Sequence, residues 1–283
     1  MTIGEALRLS EETLSAAGID GGADEAAIIL SELTGIGRLD FFLKKEEALP
    51  EETEKQLLLI LEKRKKRIPL QIILGHTEFM GLEFEVSPAT LVPRADTEVV
   101  CEEALSHLSE GMTILDLCTG TGCVLLSLLD LEPGTSGFGT DISSDAVDLA
   151  RLNADRLGLS DRATFLAGDL YAPLPEGAAF HLIIANPPYI RTDEIEHLMP
   201  EVKTYEPARA LDGGADGLTY YRRIAAGAGK YLVCGGLLLF ETGYDQGEQV
   251  TEILQENGFK NIILKKDYGG NTRVCGGFLP DHS

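Results

Sequence analysis

The sequence is poor in basic residues: 24 Lys and Arg stand against 46 Asp and Glu, a formal net charge of −22. A face that binds a nucleic-acid backbone needs clustered cations, so this composition argues against stable nucleic-acid binding. The deficit is uneven, because residues 1–75 hold 10 basic and 14 acidic residues and the rest hold 14 and 32. Any nucleic-acid contact is therefore easier to place on the first segment.

Paired cysteines, a leader and long apolar runs are lacking too. The five cysteines are odd in number and form no C-x-x-C pair, which favours reduced thiols over a disulfide framework or a structural zinc site. The first residues, MTIGEALRLSEE, contain no basic segment followed by an apolar one, so we expect no signal peptide. No apolar run reaches about 18 residues, the length of a membrane span. We expect a cytoplasmic monomer without bound metal or membrane contact.

Helical patterns fill the first quarter of the chain. Apolar residues recur near helical spacing in two stretches that stop at Gly18 and Gly35, and a third follows Pro50. They predict a helical domain over residues 1–73. The basic run at residues 63–67 is interpreted as the solvated end of the third helix, with contact to a partner or RNA as the alternative.

Strands come next. Residues 74–95 contain FMGLEFEV, whose short alternating runs predict a β-hairpin linker. From residue 96 to 283 strands alternate with helices, which predicts a Rossmann-like, doubly wound α/β domain with a mostly parallel sheet. The last stretch, NTRVCGGFL, is expected to return antiparallel at the edge of that sheet. The other main strands are predicted at 112–117, 137–141, 163–169, 181–186, 232–242 and 261–267.

A glycine loop joins the first strand of this domain to the next helix, in LDLCTGTGC. Gly120 and Gly122 permit a tight turn and close approach of a ligand to the backbone. A lone G-x-G is a weak signal, but Asp141 ends the next predicted strand, 19 residues after Gly122. A carboxylate at that position can accept hydrogen bonds from ribose hydroxyls. Asp169 ends the third predicted strand. The pattern indicates a nucleoside-containing cofactor.

The loop reads T-G-T-G-C-V, not the G-x-G-x-x-G of dinucleotide sites, and Asp116 lies on the strand before it. It resembles the S-adenosylmethionine site of Rossmann-like methyltransferases, whose product is S-adenosylhomocysteine. The resemblance implies that Asp141 holds ribose and that Asp169 with the Leu170 backbone holds adenine. A helix N-cap is the alternative for Asp169. The implied cofactor residues are Cys118, Thr119, Gly120, Thr121, Gly122, Asp141, Asp169, Leu170 and Asn186.

The stretch IIANPPYI ends the fourth strand with an amide, two prolines and a tyrosine. The residue before a proline is held extended, so Pro187 confines Asn186 and Pro188 confines Pro187. The Asn186 side-chain oxygen and the Pro187 carbonyl are then two fixed acceptors for a planar –NH2 group. Tyr189 offers a ring face to such a group or to a sulfonium. We predict Asn186, Pro187 and Tyr189 as catalytic, and all four residues as substrate-binding.

N-P-P-Y alone does not choose a substrate, since adenine-amino methyltransferases of DNA and RNA also contain it. Seven stretches are informative: PLQIILGHTEFMGLEFEV (69–86), LVPRADTE (91–98), DLCTGTG (116–122), NPPYI (186–190), YEPARAL (205–211), ETGYDQGE (241–248) and DYGGNTRV (267–274). Through these stretches the chain resembles, over nearly its whole length, the HemK/PrmC family of peptide-chain-release-factor glutamine methyltransferases. The resemblance implies methyl transfer to the side-chain amide nitrogen of the Gln in the Gly-Gly-Gln motif of class I release factors, docked partly by the N-terminal helical domain. The alternative, a nucleic-acid adenine-amino methyltransferase, predicts a basic target-recognition domain that is not apparent.

Some positions depart from the family pattern. Cys118 stands where glycine is usual, and a cysteine is tolerable there if its φ is negative. Ile72 stands where Tyr is frequent, and Ala95-Asp96 where Pro-Glu is common. The resemblance places Arg94, Thr97 and Glu98 at the border of the site, whereas Asp96 is equally suited to cap the following helix.

Overall fold

The computed structural model describes residues 1–280. The chain separates into two compact units. The first contains Met1–Leu74 together with Pro200–Tyr205, and the second contains Gly75–Met199 and the chain from Glu206 onward. The domain boundaries predicted from the sequence place residues 200–205 in the catalytic domain instead. Within residues 1–280, no helix combines the length and the apolar character needed to cross a membrane.

The first unit is helical, as its amphipathic periodicity predicts. Thr2 caps the first helix by accepting from the Glu5 backbone N–H, and the Glu5 side chain returns the bond. The second helix ends at Gly35, whose φ of 66° is the left-handed conformation that glycine adopts readily. The helices are α1 (Ile3–Ala16), α2 (Gly22–Thr34), α3 (Phe41–Lys44), α4 (Glu51–Arg64), α5 (Leu70–Leu74) and α9 (Pro200–Tyr205).

A buried ion cluster at the end of α4 contradicts the expectation that the basic run 63–67 is solvated. The Arg64 side chain is only 3% exposed, and its Nε donates to Glu25 Oε1 at 2.5 Å. Arg67 Nε donates to Glu201 Oε1, also at 2.5 Å, and Glu201 lies on α9. The prediction was wrong for Arg64 because its partner carboxylates lie far away in sequence.

The second unit contains a two-stranded antiparallel hairpin, β1 with β2, and a seven-stranded sheet in the part of the chain up to residue 280. The sheet order is β5-β4-β3-β6-β7-β9-β8. Strands β5, β4, β3, β6 and β7 run parallel, which confirms the doubly wound class. The elements are β1 (His76–Phe79), β2 (Leu82–Glu85), α6 (Ala95–Leu105), β3 (Thr113–Leu117), α7 (Cys123–Leu131), β4 (Ser136–Asp141), α8 (Ser144–Arg156), β5 (Ala163–Ala167), β6 (Phe180–Ala185), α10 (Thr219–Ala228), β7 (Leu232–Glu241), α11 (Gly247–Glu256), β8 (Lys260–Lys266) and β9 (Thr272–Phe278).

The antiparallel strand is present, but its expected position at the edge is wrong. Strand β9 pairs antiparallel with both β7 and β8, so β8 forms the edge. Burial explains the order, because Arg273–Gly277 are all buried whereas β8 is largely exposed. Lysines on an edge strand also oppose pairing with a second sheet, and β8 carries Lys260, Lys265 and Lys266.

Alternating side chains of the sheet enter two buried clusters. On β6, Leu182 and Ile184 pack with α6, α7 and α8, while Ile183 and Ala185 pack with α10 and α11. Side chains on a strand alternate between faces, so helices cover both faces of the sheet. This arrangement holds the carboxyl ends of the parallel strands rigidly at one edge.

Candidate active site

A cavity opens at the carboxyl ends of β3, β4 and β6. Its walls include the glycine loop after β3, Asp141 and Ile142 after β4, and Asn186 and Pro188 after β6. It holds about 980 Å³ of space, counting the open mouth. Strand β3 has β4 on one side and β6 on the other, so the cavity lies at the topological switch point where doubly wound sheets bind ligands.

The glycine loop is fixed by the acid that follows β4. Gly120 has a φ of 56°, and its backbone N–H donates to Asp141 Oδ2 at 3.0 Å. A Cβ on Gly120 would meet no described atom within 4 Å, so the backbone there faces open space. A Cβ on Gly122 would lie 3.1 Å from both the Ala150 Cβ and the Phe165 ring. The first glycine therefore leaves room for a ligand, whereas the second permits close helix packing.

Cys118 adopts a φ of +61°, so the condition of a negative φ is not met at this position. Leu117 is the last residue of β3 and pairs with both neighbouring strands, and the chain turns sharply directly after it. The turn continues through the Thr119 N–H, which donates to the Thr140 carbonyl at 3.0 Å. A non-glycine residue in the left-handed region costs about 1–2 kcal/mol. Burial raises the pKa of the Cys118 thiol, so it stays neutral.

Asp141 and Asp169 both line the cavity. Asp141 Oδ1 accepts the Ser143 backbone N–H at 2.9 Å, in addition to the bond from the glycine loop. Asp169 lies two residues beyond the end of β5, and its Oδ2 accepts from Arg223 at 2.7 Å. No helix follows it between residues 168 and 179, so the N-cap alternative fails. Leu170 also lines the cavity, with a φ of 49°.

Asp116 is a buried carboxyl beneath the loop. It lines the cavity, and its Oδ2 accepts from the Thr119 hydroxyl at 2.5 Å. Burial is the main cause that raises the pKa of Asp116 to about 7. The group therefore changes charge near neutral pH.

The N-P-P-Y segment presents some of its side chains to the cavity. Asn186 and Pro188 line it, and the Asn186 Nδ2 donates to the Thr97 hydroxyl at 3.4 Å. Pro187 and Tyr189 are not among the lining residues. The Tyr189 hydroxyl instead donates to Glu241 Oε1 at 3.4 Å, and the Tyr189 carbonyl accepts from Gln246 at 2.9 Å.

Several residues at the rim confirm or correct the expectations for the segment 94–98. Arg94 and Thr97 line the cavity, whereas Glu98 is absent from its walls and accepts the Met80 backbone N–H. Helix α6 starts at Ala95 with Arg94 in the capping position, so Asp96 is not its N-cap. Asp96 pairs with Arg273 at 3.0 Å.

Sequence reasoning missed Glu241 and Arg209. Glu241 ends β7 and is only 3% exposed, and Arg209 lines the cavity while donating to the Ser143 hydroxyl at 2.7 Å. Both lie in stretches quoted for the family resemblance. An acid at the end of the apolar run GGLLLFE is a signal that could have identified Glu241, because an acid is rarely buried without a role.

The cavity fits a nucleoside cofactor on the observations of this chain alone. Gly120 leaves open space beside the loop, and Asp141 keeps unused acceptor capacity for hydroxyl groups. Within residues 1–280, no cluster of three or more His, Cys, Asp or Glu side chains could hold a metal ion. The fold and this site together define a Rossmann-like, S-adenosylmethionine-dependent methyltransferase.

Comparisons with known proteins identify the family. The description "PrmC N-terminal domain" matches residues 5–75, and "Methyltransferase small domain" matches residues 98–204. The release factor glutamine methyltransferase of Agrobacterium fabrum is 40% identical over 279 residues, which cover 96% of each chain. That of Vibrio cholerae is 40% identical over 276 residues, 97% of this chain and 96% of its own. The chain belongs to the release factor glutamine methyltransferase family.

Solved structures agree on the fold. A methyltransferase from Pyrococcus furiosus aligns with a TM-score of 0.55 at 16% identity, covering 82% of this chain and 100% of that one. A 16S rRNA N2 G1207 methyltransferase from T. Thermophilus gives a TM-score of 0.50 at 20% identity, over 72% of this chain and 49% of that one. At these identities the similarity supports the shared α/β architecture alone.

Proposed function

We propose that this enzyme methylates the side-chain amide nitrogen of the Gln in the Gly-Gly-Gln motif of class I peptide chain release factors. Membership of the family gives the reaction class, and the relatives carry the release factor in their names. The observation that carries the proposal to this site is the direction of the Asn186 amide. Its Nδ2 is bound to Thr97, so its oxygen is left to accept an N–H from a substrate.

The substrate amide is held by two acceptors in this proposal, the Asn186 side-chain oxygen and the Pro187 carbonyl. Bound S-adenosylmethionine supplies an electrophilic methyl group on a sulfonium. An amide nitrogen is a poor nucleophile, so its orientation toward that methyl group is the chief contribution of the protein. Ideal alignment can supply about 7–11 kcal/mol of a reaction barrier. The alkylated amide loses its proton readily, so no strong base is needed.

The cofactor is assigned to the glycine-loop side of the cavity. Asp141 accepts the ribose hydroxyls, and Asp169 with the Leu170 backbone holds the adenine amino group. The residues 118–122 lie along the methionine part. The support for this assignment is that Cys118–Thr121, Asp141, Asp169 and Leu170 all line one cavity, whereas Gly122 packs behind the loop.

The helical domain of residues 1–73 docks the release factor away from the tripeptide, in a proposed two-point contact. Three large apolar side chains on the segment 38–44 support a docking role, because Leu39, Phe42 and Leu43 are 90%, 77% and 79% exposed. If this segment docks the release factor, the double variant Phe42→Ser and Leu43→Ser should raise KM for the release factor and leave kcat unchanged.

We propose that the enzyme acts as a monomer.

The direct test is transfer of a labelled methyl group to a purified class I release factor. The matched substrates are the factor with Gln of Gly-Gly-Gln replaced by Ala and an adenine-containing oligonucleotide. We expect label on the normal factor only, located on the glutamine amide by peptide mass spectrometry. Label on the oligonucleotide but not on the factor would establish the adenine-amino alternative and refute the proposal.

Variants connect the activity to the site. Asn186→Ala should abolish transfer, because it removes the side-chain acceptor. Asn257→Ala, at an exposed asparagine after α11, should retain wild-type activity. Thermal unfolding of both variants tests that loss of activity is not loss of fold. Full activity in a folded Asn186→Ala enzyme would contradict the assignment.

A further inference from the structure

We propose that Glu241 is a positioning residue that fixes the direction of the Asn186 amide through the hydroxyl of Thr97. The inference rests on the proposed function, since it concerns the acceptor that the glutamine amide would meet. Glu241 does not line the cavity, whereas Thr97 and Asn186 do. Its effect on the site would therefore pass from Glu241 to Thr97 and from Thr97 to Asn186. We call this series of three side chains the relay.

The environment of Glu241 calls for an explanation. Its side chain is buried, and its Oε2 has no hydrogen-bond partner among the residues that the structure describes. The Oε1 accepts from the Tyr189 hydroxyl at 3.4 Å. Burial raises the pKa of Glu241, and the Thr97 hydroxyl, on the neighbouring helix α6, opposes that rise and so lies beside the carboxyl. A buried carboxyl with unused acceptor capacity costs stability, so its presence beside the site indicates a function.

Hydrogen-bond polarity gives that function. A hydroxyl has one proton, and an ionised carboxylate can only accept. When Thr97 donates its proton to Glu241, its oxygen can only accept from Asn186. The Nδ2 of Asn186 must then face Thr97, as it does at 3.4 Å. The Asn186 oxygen is thereby turned away from Thr97 and kept for the substrate amide.

Protonation of Glu241 would reverse the relay. A neutral carboxyl can donate to Thr97, whose proton is then available to the Asn186 oxygen, the atom that the substrate needs. Burial is the main cause that raises the pKa of Glu241 to about 7. The charged groups facing it are Arg273 from β9 and Asp96 from α6. Burial also raises the pKa of the neutral groups around it, Tyr189, Tyr221, Cys101 and Cys123.

The first experiment compares kcat, KM and the pH profile for methyl transfer to the release factor. Glu241→Gln and Thr97→Val should each lower kcat on the order of 10- to 100-fold through misplacement of the amide, with little change in KM. Thr97→Ser keeps the hydroxyl and should restore most of the activity. The wild-type kcat should rise with pH through about 7. That rise should disappear in Glu241→Gln.

Thr242→Val is the matched control, because Thr242 follows Glu241 and its buried hydroxyl has no partner within residues 1–280. It should leave kcat and the pH profile unchanged. A folded Glu241→Gln enzyme with wild-type kcat and an unaltered pH rise would overturn the proposal. So would a Thr97→Val enzyme that is as active as Thr97→Ser.

A second measurement needs no substrate, so it tests the relay independently of the proposed function. In selectively 15N-asparagine-labelled protein, the Asn186 side-chain amide signals should shift as the pH passes through about 7. The shift should be lost in Glu241→Gln and in Thr97→Val, and kept in Thr242→Val. A shift that survives in both relay variants refutes the relay. Absence of methyl transfer by the wild-type enzyme refutes only the proposed function. If Glu241→Gln does not fold, the Thr97 variants decide.

Discussion

Asp141→Asn should weaken cofactor binding far more than the loss of one charge on the surface would. The two carboxylate oxygens of Asp141 accept from Gly120 and Ser143 at 3.0 and 2.9 Å. Asparagine has one oxygen and one NH2 group. One of the two backbone N–H groups would therefore face another donor, and the glycine loop or the turn after β4 would move.

The magnitude follows from counting charge-assisted hydrogen bonds. The substitution removes one bond to the protein backbone and, in the proposed assignment, one bond to a ribose hydroxyl. Hydrogen bonds to charged groups contribute about 1.5–3 kcal/mol each. Only the ribose bond differs between the free and the bound enzyme, and its loss of about 1.5–3 kcal/mol corresponds to a roughly 10- to 150-fold rise in Kd.

Isothermal titration calorimetry with S-adenosylhomocysteine measures this directly. Asp145→Asn is the control, because Asp145 is an exposed acid in the first turn of α8 and does not line the cavity. It should change Kd by less than about twofold, since isolated surface charges contribute little. A Kd for Asp141→Asn within threefold of wild type would refute the assignment of Asp141 to the ribose.

Three further predictions concern stability. Glu25→Gln leaves Arg64 buried without its main partner and should lower the free energy of unfolding, measured in urea, by about 3–5 kcal/mol. Arg64→Met should lower it much less. A loss below about 1 kcal/mol for Glu25→Gln would contradict the prediction. Burial raises the pKa of Asp116 to about 7. Between about pH 4 and 7 the folded state therefore retains a proton that the unfolded state has lost, so the free energy of unfolding should fall as pH rises through that window. Thermal unfolding at pH 5 and 8 should show a smaller fall in Asp116→Asn, and an equal fall would exclude Asp116 as a source. Cys118→Gly relieves the positive φ, so the stability of this variant should equal that of the wild type or exceed it by up to about 1 kcal/mol. Cys118→Val, with a β-branched side chain, should lower the stability. A clear loss of stability in Cys118→Gly would show that packing of the thiol outweighs the backbone strain.

Local signals account for what the sequence predicted correctly. The strand β3, the glycine loop and Asn186 lie within short segments, where alternation, glycines and prolines act on neighbouring residues. The end of β4 at Asp141 was predicted as well, because its residues form one short local segment. The end of β5 was placed two residues late, because the strand ends at Ala167 and the chain bends at Gly168 and Asp169.

Contacts between distant segments account for the errors. The place of β9 between β7 and β8 depends on close approach to β7, where a Cβ on Gly276 would lie 2.6 Å from the Leu238 carbonyl oxygen. Arg64 is buried because Glu25, 39 residues away, meets it. Glu241 is close to Thr97 only after β7 and α6 pack together. Residue patterns over one element carry no information on such pairs.

A common arrangement links the candidate site residues. Asp169 is held on one oxygen by Arg223, Asn186 is held through its Nδ2 by Thr97, and Asp141 accepts two backbone N–H groups. Each side chain thus uses part of its hydrogen-bonding capacity on the protein and leaves a defined remainder toward the cavity. Because the protein-side partner fixes which atom remains, residues that never touch a ligand can control its geometry. Loss of such a partner should therefore reduce kcat or affinity without removing any group that contacts the substrate.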